Sequence, residues 1–310
     1  MMAAHRRRDI AVHGWLVIDK PAGLSSARVV GIARRATGAA KAGHAGTLDP
    51  LATGILPVAL GEATKTVPFV MDDTKCYRFT VRWGEARSTD DVEGDVIGTS
   101  MIRPTRAQIL TALAPMIGRI EQRPPAFSAV HVNGQRAYAL ARAGRSVEPA
   151  LRVVTIHRFA LIGCPDEDHA DFEVECGKGT YVRSLARDLA AALGTVGHVS
   201  ALRRTRVGRF TEAQAISLES LPPLGHSPAA FGHLLAVETV LDDIPALALT
   251  ETEANRLRCG QAVGVADRFD MERIGHLESG CIVWAMAGGK PVALARFEDG
   301  GLRPVRVFHF

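Results

Sequence analysis

Residues 41–54 read KAGHAGTLDPLATG, with three glycines and one proline in fourteen positions. This stretch is too irregular for a helix or a strand and too long for an idle hairpin turn, so it predicts a shaped loop. Apolar runs lie on both sides of it, HGWLVIDK at 13–20 and ILPVAL at 55–60, and the first predicts a strand that ends in a turn. We therefore expect an ordered loop with a role of its own.

Asp49 in this loop is the first candidate for chemistry. An Asp-Pro pair in a glycine-rich loop is most often a turn or a cap. The context favours more than that, because Pro50 disfavours the α conformation at Asp49 and the glycines let a ligand approach the backbone closely. His44 adds a second polar group five residues earlier. A carboxylate held in this way can serve as a nucleophile or as a base.

Periodic patterns predict the neighbouring elements. Ser25 offers an N-cap to a helix with a basic surface that ends at Gly38. Residues 76–83, CYRFTVRW, alternate apolar and polar side chains, which is typical of a half-buried strand. Residues 104–118 predict a helix, and residues 181–193 predict an amphipathic one.

The composition is that of an ordinary globular protein. The chain has 310 residues, of which 47% are hydrophobic and 23% charged, and its mean hydropathy is +0.07. This length allows about two domains. No apolar run approaches the roughly 20 residues of a membrane span, and residues 1–9 are not followed by the apolar core of a secretory signal. We therefore expect a cytoplasmic protein.

The cysteines and histidines do not suggest a metal centre. The five cysteines form no Cys-x-x-Cys pair, which argues against a zinc ribbon and a disulfide framework. The eleven histidines are scattered, and no His-Glu-x-x-His motif occurs. We expect catalysis by side chains alone, without a metal.

The basic residues are mostly arginine, 31 of 37, and they cluster at 28–35, 136–145 and 203–209. Any one of these clusters is commonly a solvated face. Three clusters beside aromatic residues favour an RNA-binding surface. We expect Arg203 and Arg204 to contact phosphate.

The turn Gly177-Lys178-Gly179 lies between a predicted strand and a predicted helix, as in dinucleotide-binding sites. Val182 stands where the third glycine of that motif belongs, and no P-loop sequence occurs, so an ordinary turn is favoured. An ordinary turn leaves Tyr181 and Arg183 unexplained. Both lie in the first helical turn and can present an aromatic ring and a guanidinium to a cleft.

The character of the chain changes near its end. From residue 244 onward, short apolar runs alternate with turns. We therefore place a boundary near Asp243, between a main domain over 10–242 and a small, mostly β domain over 243–310.

Six motifs, in this order along the chain, resemble those of the TruB-type tRNA pseudouridine synthases of bacteria. They are WLVIDKPAGLSS, GHAGTLDPLATGILPVALGEATK, KCYRF, RPPAFSAVHVNGQRAYALARAG, CGKGTYVRSLARDL and LRRTRVGRF. The resemblance implies the α/β pseudouridine-synthase fold, with a mixed, largely antiparallel sheet and a β-rich PUA-type RNA-binding domain at 243–310. It also implies isomerisation of the T-loop uridine of tRNA (position 55) to pseudouridine by a monomer, without metal, organic cofactor or guide RNA.

Carried over position by position, the resemblance assigns catalytic roles to three residues. Asp49 matches the catalytic aspartate. Tyr77 matches the tyrosine that stacks on the flipped-out base and is placed for proton transfer. Arg183 matches the arginine that pairs with the catalytic carboxylate.

A second set of residues is similar to the family's substrate-binding positions. His44 resembles the residue that holds the everted T loop, while Tyr181 and Leu202 match positions that line the uridine pocket. Lys20 and Lys65 are structural or RNA-facing. Residues 123–145 resemble a mobile RNA-clamping insertion. Ala45 departs from the family, in which many members have threonine, but leaves the histidine and the aspartate unchanged.

Two other functions stay open. A tRNA-binding or RNA-folding protein that keeps the synthase fold without activity would not need an acid paired with an arginine. A nucleotide-dependent enzyme that uses the turn at Gly177 would bind ATP or NAD.

Overall fold

The structure is a computed structural model. It describes residues 12–310 except 129, 133, 138–139, 141–142, 146, 222–231 and 265–276. Five α-helices lie within the described residues. They are α1 (Ser26–Thr37), α2 (Val67–Asp72), α3 (Arg106–Leu113), α4 (Val182–Ala192) and α5 (Glu251–Arg258).

The strands of the described residues form two large sheets and two hairpins. In chain order they are β1 (Gly14–Lys20), β2 (Ala42–His44), β3 (Thr53–Leu60), β4 (Lys75–Trp83), β5 (Glu85–Arg87), β6 (Val96–Thr99), β7 (Gly118–Gln122), β8 (His131–Val132), β9 (Gln135–Arg136), β10 (Arg152–Gly163), β11 (His169–Cys176), β12 (Gly197–Val207), β13 (Phe210–Thr211), β14 (Ile216–Ser217), β15 (Ala246–Ala248), β16 (Val263–Gly264), β17 (Ile282–Ala287), β18 (Lys290–Glu298) and β19 (Gly301–Val307).

The main sheet has the strand order β14-β1-β3-β12-β4-β11-β10-β7, with β2 and β13 paired at its side. Two of its pairings are parallel, β1 with β14 and β3 with β12, and the others are antiparallel. The predicted mixed and largely antiparallel sheet is confirmed. Because β3 and β12 run parallel at the centre, the loop before β3 lies beside the middle of β12.

One face of the main sheet is covered by helices. The apolar faces of α1 and α4 are buried there with Phe79, Trp83 and Phe172, whose side chains alternate inward along β4 and β11. The Phe79 and Phe172 rings stack at 5.4 Å. Ser25 caps α1 and Gly38 ends it in the left-handed conformation, as the sequence predicts.

The opposite face of β1 and β3 packs against the terminal sheet, whose order is β15-β17-β18-β19-β16. Trp15, Val17 and Ile55 form a common buried core with Trp284, Leu294 and Phe308. Two polar links join the same parts: Lys65 donates to the Val307 carbonyl at 2.7 Å, and the His309 amide donates to Glu62 at 2.7 Å. The residues on either side of Asp243 thus share one hydrophobic core. The exact boundary stays a prediction.

The segment 123–145 contains the short hairpin of β8 and β9, and several of its residues lie outside the described part of the chain. Its base is attached to α4, because Ser184 and Arg187 both donate to the Arg123 carbonyl, at 2.8 and 2.9 Å. Among the described helices, none has both the length and the apolarity that a membrane span requires.

Candidate active site

Two buried side chains, Ser26 and Lys20, bind the backbone of the loop that carries Asp49. The Ser26 hydroxyl, at the start of α1, donates to the Leu48 carbonyl at 2.9 Å and accepts from the Leu48 amide at 2.8 Å. Lys20, fully buried, donates to the carbonyls of Leu24 at 2.7 Å and Pro50 at 3.1 Å. Burial lowers the pKa of Lys20 to about 8. Ser26 and Lys20 therefore fix the backbone on either side of Asp49, at Leu48 and at Pro50.

Arg204 fixes the same loop from β12. Its guanidinium, 1% exposed, donates to the carbonyls of Ile55 at 2.8 Å, Gly46 at 3.0 Å and Thr47 at 3.4 Å. Gly54 permits this approach, because a Cβ at that position would lie 2.1 Å from the Arg204 carbonyl oxygen. Only glycine at residue 54 lets β3 and β12 come this close.

Asp49 itself faces Arg183 at the start of α4. The Arg183 Nε atom lies 2.9 Å from Oδ2 of Asp49, an ion pair that does not have linear hydrogen-bond geometry. The Arg183 side chain is 5% exposed and the Asp49 side chain 35%. Arg183 is itself held by the carbonyls of Thr89 at 2.8 Å and Phe127 at 2.9 Å. A fixed cation thus supports a carboxylate that solvent can reach.

Asp91 is a second carboxylate beside Arg183, and sequence reasoning missed it. Its Oδ2 lies 3.5 Å from Nη1 of Arg183. The side chain is buried, and its Oδ1 accepts from the Glu93 amide at 3.0 Å. The only signal in the sequence is a pair of aspartates in a polar turn, which resembles an ordinary solvated loop.

Tyr77, Tyr181 and Leu202 line one cleft with Asp49, and its volume is about 570 Å³. Tyr77 lies on β4, opposite Arg204 in the strand register. Burial raises the pKa of the Tyr77 phenol, and burial also raises that of Tyr181. Gln122 holds the Tyr181 backbone, accepting from its amide at 2.8 Å and donating to its carbonyl at 3.1 Å. The cleft therefore offers neutral phenols beside the Asp49 carboxylate.

His44 lies on β2, in the same loop region as Asp49 but outside the lining of the cleft. Burial, and then the charge of Arg204, lower its pKa, so the imidazole is neutral near pH 7. Its Nδ1 is buried and has no hydrogen-bond partner in the described part of the chain. Within those same residues, no cluster of three or more His, Cys, Asp or Glu side chains is placed to hold a metal ion.

Four basic residues that were expected to contact the substrate instead bind groups of the protein itself. Arg204 is buried and bonded to loop carbonyls, which contradicts the predicted phosphate contact. Lys20 is also buried and bonded to carbonyls, which favours its structural alternative. Lys65 pairs with Glu62 and binds the Val307 carbonyl, so it joins the two sheets. Arg203 makes two bonds of 2.9 Å to Asp19 and pairs with Glu212, which neutralises its charge. The sequence shows that basic residues cluster, but it does not show which carboxylates and carbonyls of the fold bind them.

Arg204→Lys is expected to lower turnover by about 10- to 100-fold, because a shift of the Asp49 loop of about 1 Å impairs catalysis to that extent. Lysine lacks the planar fork, and each buried carbonyl left unpaired costs about 1–3 kcal/mol of folding free energy. The affinity for tRNA and its salt dependence should stay near the wild-type values. Binding measured from 50 to 200 mM salt checks this, with the exposed Arg78→Lys as the control. A weaker affinity with a flatter salt dependence would restore a phosphate contact.

Comparison with known proteins gives matches over nearly the whole chain. A model of the TruB family pseudouridylate synthase N-terminal domain matches residues 34–182, and a model of the tRNA pseudouridylate synthase B C-terminal domain matches residues 183–241. A protein of Caulobacter sp. (strain K31) named tRNA pseudouridine synthase B is 53% identical over 98% of this chain and 99% of its own length. A protein of the same name from Rhodospirillum rubrum is 52% identical over the same shares of both chains.

Solved structures show the same fold. A chain in the structure of an H/ACA RNP bound to a substrate RNA containing 2′-deoxyuridine superposes with a TM-score of 0.70 at 22% identity, over 96% of this chain and 85% of the other. A chain in an archaeal box H/ACA sRNP Nop10-Cbf5 complex gives the same TM-score at 21% identity, over 96% of this chain and 86% of the other. These two likenesses confirm the predicted fold class.

Proposed function

The chain belongs to the TruB family of pseudouridylate synthases, and from this premise we propose that it converts uridine 55 of tRNA into pseudouridine with Asp49 as its catalytic carboxylate. The family resemblance drawn from the six motifs is confirmed. The observation that carries the catalytic assignment is the contact of Asp49 with Arg183 at 2.9 Å, in the cleft that Tyr77 lines.

The reaction replaces one glycosidic bond by another in the same nucleoside. The C1′–N1 bond breaks, the freed uracil rotates, and a C1′–C5 bond forms while C5 loses a proton and N1 gains one. A carboxylate on the sugar side serves either by adding to C1′ or by removing the C2′ proton, which leads to a glycal. Both routes start from an ionised carboxylate oxygen. Oδ2 of Asp49 contacts Arg183, while Oδ1 makes no hydrogen bond in the described part of the chain and is the oxygen offered to the ribose.

Tyr77 has the properties required of a stacking and proton-transferring residue. Its raised pKa keeps the phenol neutral. A neutral ring stacks on a base that has left the T-loop stack, and its hydroxyl can pass a proton between protein and substrate. Tyr181 and Leu202 complete the walls of this pocket.

The support for tRNA as the substrate lies in the relatives, whose names include tRNA. Residues 243–310 are proposed to bind RNA outside the cleft, and residues 123–145 to close over the T loop from their attachment on α4.

We assign the chain to the cytoplasm and propose that it needs no guide RNA, metal or cofactor. We also propose that it acts as a monomer, since one chain supplies both the Asp49 carboxylate and the Arg183 cation. The non-catalytic alternative has no observation in its favour.

Arg28 and Arg35 replace Arg203 and Arg204 as the proposed phosphate contacts. They lie one heptad apart on the same face of α1, about 10.5 Å along the axis, and both are exposed. Neither makes an ion pair within the described residues. Because Ser26 in the same helix binds Leu48, the N-terminal end of α1 lies beside the Asp49 loop.

The double substitution Arg28→Ala and Arg35→Ala should weaken binding of different tRNAs to a similar extent. It should also flatten the slope of log K against log salt by about 0.7–0.9 for each phosphate that is no longer bound, because fewer counterions are released. Filter binding over a salt series measures this. The double substitution Arg106→Ala and Arg158→Ala, at exposed positions on α3 and β10 that have no proposed RNA contact, is a charge-matched comparison. An unchanged slope would show that the face of α1 is only solvated.

The activity is tested by incubating the protein with an unmodified tRNA transcript and detecting pseudouridine by chromatography of the digested RNA. A transcript with cytidine at position 55 is the control. Product at position 55 from the first transcript alone is the expected result. The absence of product would refute the enzyme and favour the binding protein.

A further inference from the structure

Lys178 belongs to the glycine turn that precedes α4, and it has no part in the mechanism above. Its ammonium lies 3.0 Å from a carboxylate oxygen of Asp72, the last residue of α2. Both side chains line the cleft that holds Asp49 and Tyr77. This ion pair, called here the pocket-mouth pair, therefore connects two separate elements at the outer edge of the uridine cleft.

The pocket-mouth pair is solvated and easily exchanged. Its side chains are 67% and 65% exposed, in contrast to the 5% of Arg183 deeper in the cleft. Water and salt screen such a pair, so it contributes little to folding. Neither side chain makes another hydrogen bond among the residues that the structure describes. Lys178 can therefore leave Asp72 without breaking a buried interaction.

The ligand that fits Lys178 is a phosphate. An ammonium group on a flexible stem is a point charge without the planar fork that reads a base edge, so it suits the RNA backbone. Uridine in the cleft brings its flanking phosphates to the outer edge, where Lys178 lies. Asp72 would meet the same backbone with a like charge, which is unfavourable unless the carboxylate is turned away or neutralised.

We propose that Lys178 binds a tRNA phosphate beside the target uridine and that Asp72 competes with this phosphate for the lysine. The inference rests on the proposed function, since it assigns a ligand to the same cleft. The competition lowers the affinity for RNA in exchange for specificity, because only an RNA that also fills the uridine pocket holds its phosphate at Lys178. Removal of the Asp72 carboxylate should accordingly strengthen tRNA binding.

The test compares dissociation constants for unmodified tRNA in the full chain. Lys178→Ala should weaken binding about three- to tenfold and reduce the salt slope by about 0.7–0.9. Asp72→Asn should strengthen binding about two- to fivefold. In the double variant the gain from Asp72→Asn should fall to the smaller part that comes from relief of like-charge repulsion, because the larger part acts through Lys178.

Two controls separate this coupling from a general change of charge. Asp166→Asn removes an exposed carboxylate at the turn between β10 and β11, and β11 places it about 25 Å from the glycine turn. It should leave the dissociation constant unchanged. Arg152→Ala removes another cation that lines the cleft, and the gain from Asp72→Asn should persist in that background.

The proposal is overturned if Asp72→Asn weakens binding, leaves it unchanged, or strengthens it equally without Lys178. A purely structural pair would lower the melting temperature of both variants without altering the salt slope. If Asp72→Asn fails to fold, Lys178→Arg and Lys178→Gln decide the outcome, because only arginine should retain the slope. These readouts measure binding alone. A wild-type chain that forms pseudouridine but shows no coupling overturns only this inference, whereas a chain that forms none overturns the proposed function.

Discussion

Asp49→Asn is expected to lower the rate of pseudouridine formation by at least about 10³-fold, the scale of loss when a nucleophile or general base is removed. The amide keeps the shape of the side chain but lacks an oxygen that can attack C1′ or accept the C2′ proton. The Arg183 cation still faces Asp91 and two carbonyls. The fold and tRNA binding should therefore survive.

Single-turnover kinetics with saturating enzyme measures this loss without interference from product release. Asp166→Asn makes the same chemical change at an exposed turn and should react at the wild-type rate. Filter binding and a melting curve on the Asp49 variant confirm that it is folded and binds tRNA. A rate within tenfold of wild type would remove Asp49 from the chemistry, whichever route the reaction takes.

Tyr77→Phe is expected to reduce turnover by about 10²- to 10³-fold with nearly unchanged affinity, because proton transfer by a positioned group contributes about 10²–10⁴. Phenylalanine keeps the ring face, and stacking against a base is worth about 1–3 kcal/mol. Tyr77→Ala should therefore weaken binding as well. The contrast between the two variants separates the hydroxyl from the ring.

Tyr181→Phe is the matched control, because it deletes a phenol hydroxyl from the same cleft at a position assigned to the wall. Its loss of turnover should be less than about tenfold. The measurement is again single-turnover product formation, paired with a dissociation constant for each variant. Full activity of Tyr77→Phe, or equal losses in both tyrosine variants, would contradict a specific role for the Tyr77 hydroxyl.

Local patterns were sufficient to predict several elements, because the forces that form them act over a few residues. The alternation at 76–83 predicts β4, and Ser25 and Gly38 predict both ends of α1. The helix expected over 104–118 ends at Leu113 instead. Pro115 lies in a 3₁₀ turn, and Gly118 then adopts a positive φ and begins β7.

Loop and turn patterns pointed to Asp49, Tyr181 and Arg183, and the family motifs added Tyr77 and Leu202. Nothing in the run of arginines at 203–209 shows that Arg204 is buried against the Asp49 loop, because its partners lie about 150 residues earlier in the chain. Asp91 was missed for the same reason, since its importance comes from Arg183, about 90 residues away. Such roles depend on which strands pair, and pairing is a property of the whole sheet.

The core shared by the two sheets has a consequence for the growing polypeptide on the ribosome. Trp15, Val17 and Ile55 are covered by Trp284, Leu294 and Phe308, yet β14 closes the main sheet at Ser217. About 90 residues separate Ser217 from Phe308, which at about 5–20 residues per second leaves about 5–18 s of synthesis. During this interval a nascent chain with a complete main sheet exposes an apolar surface. We expect it to depend on cellular chaperones until translation of the terminal sheet is finished.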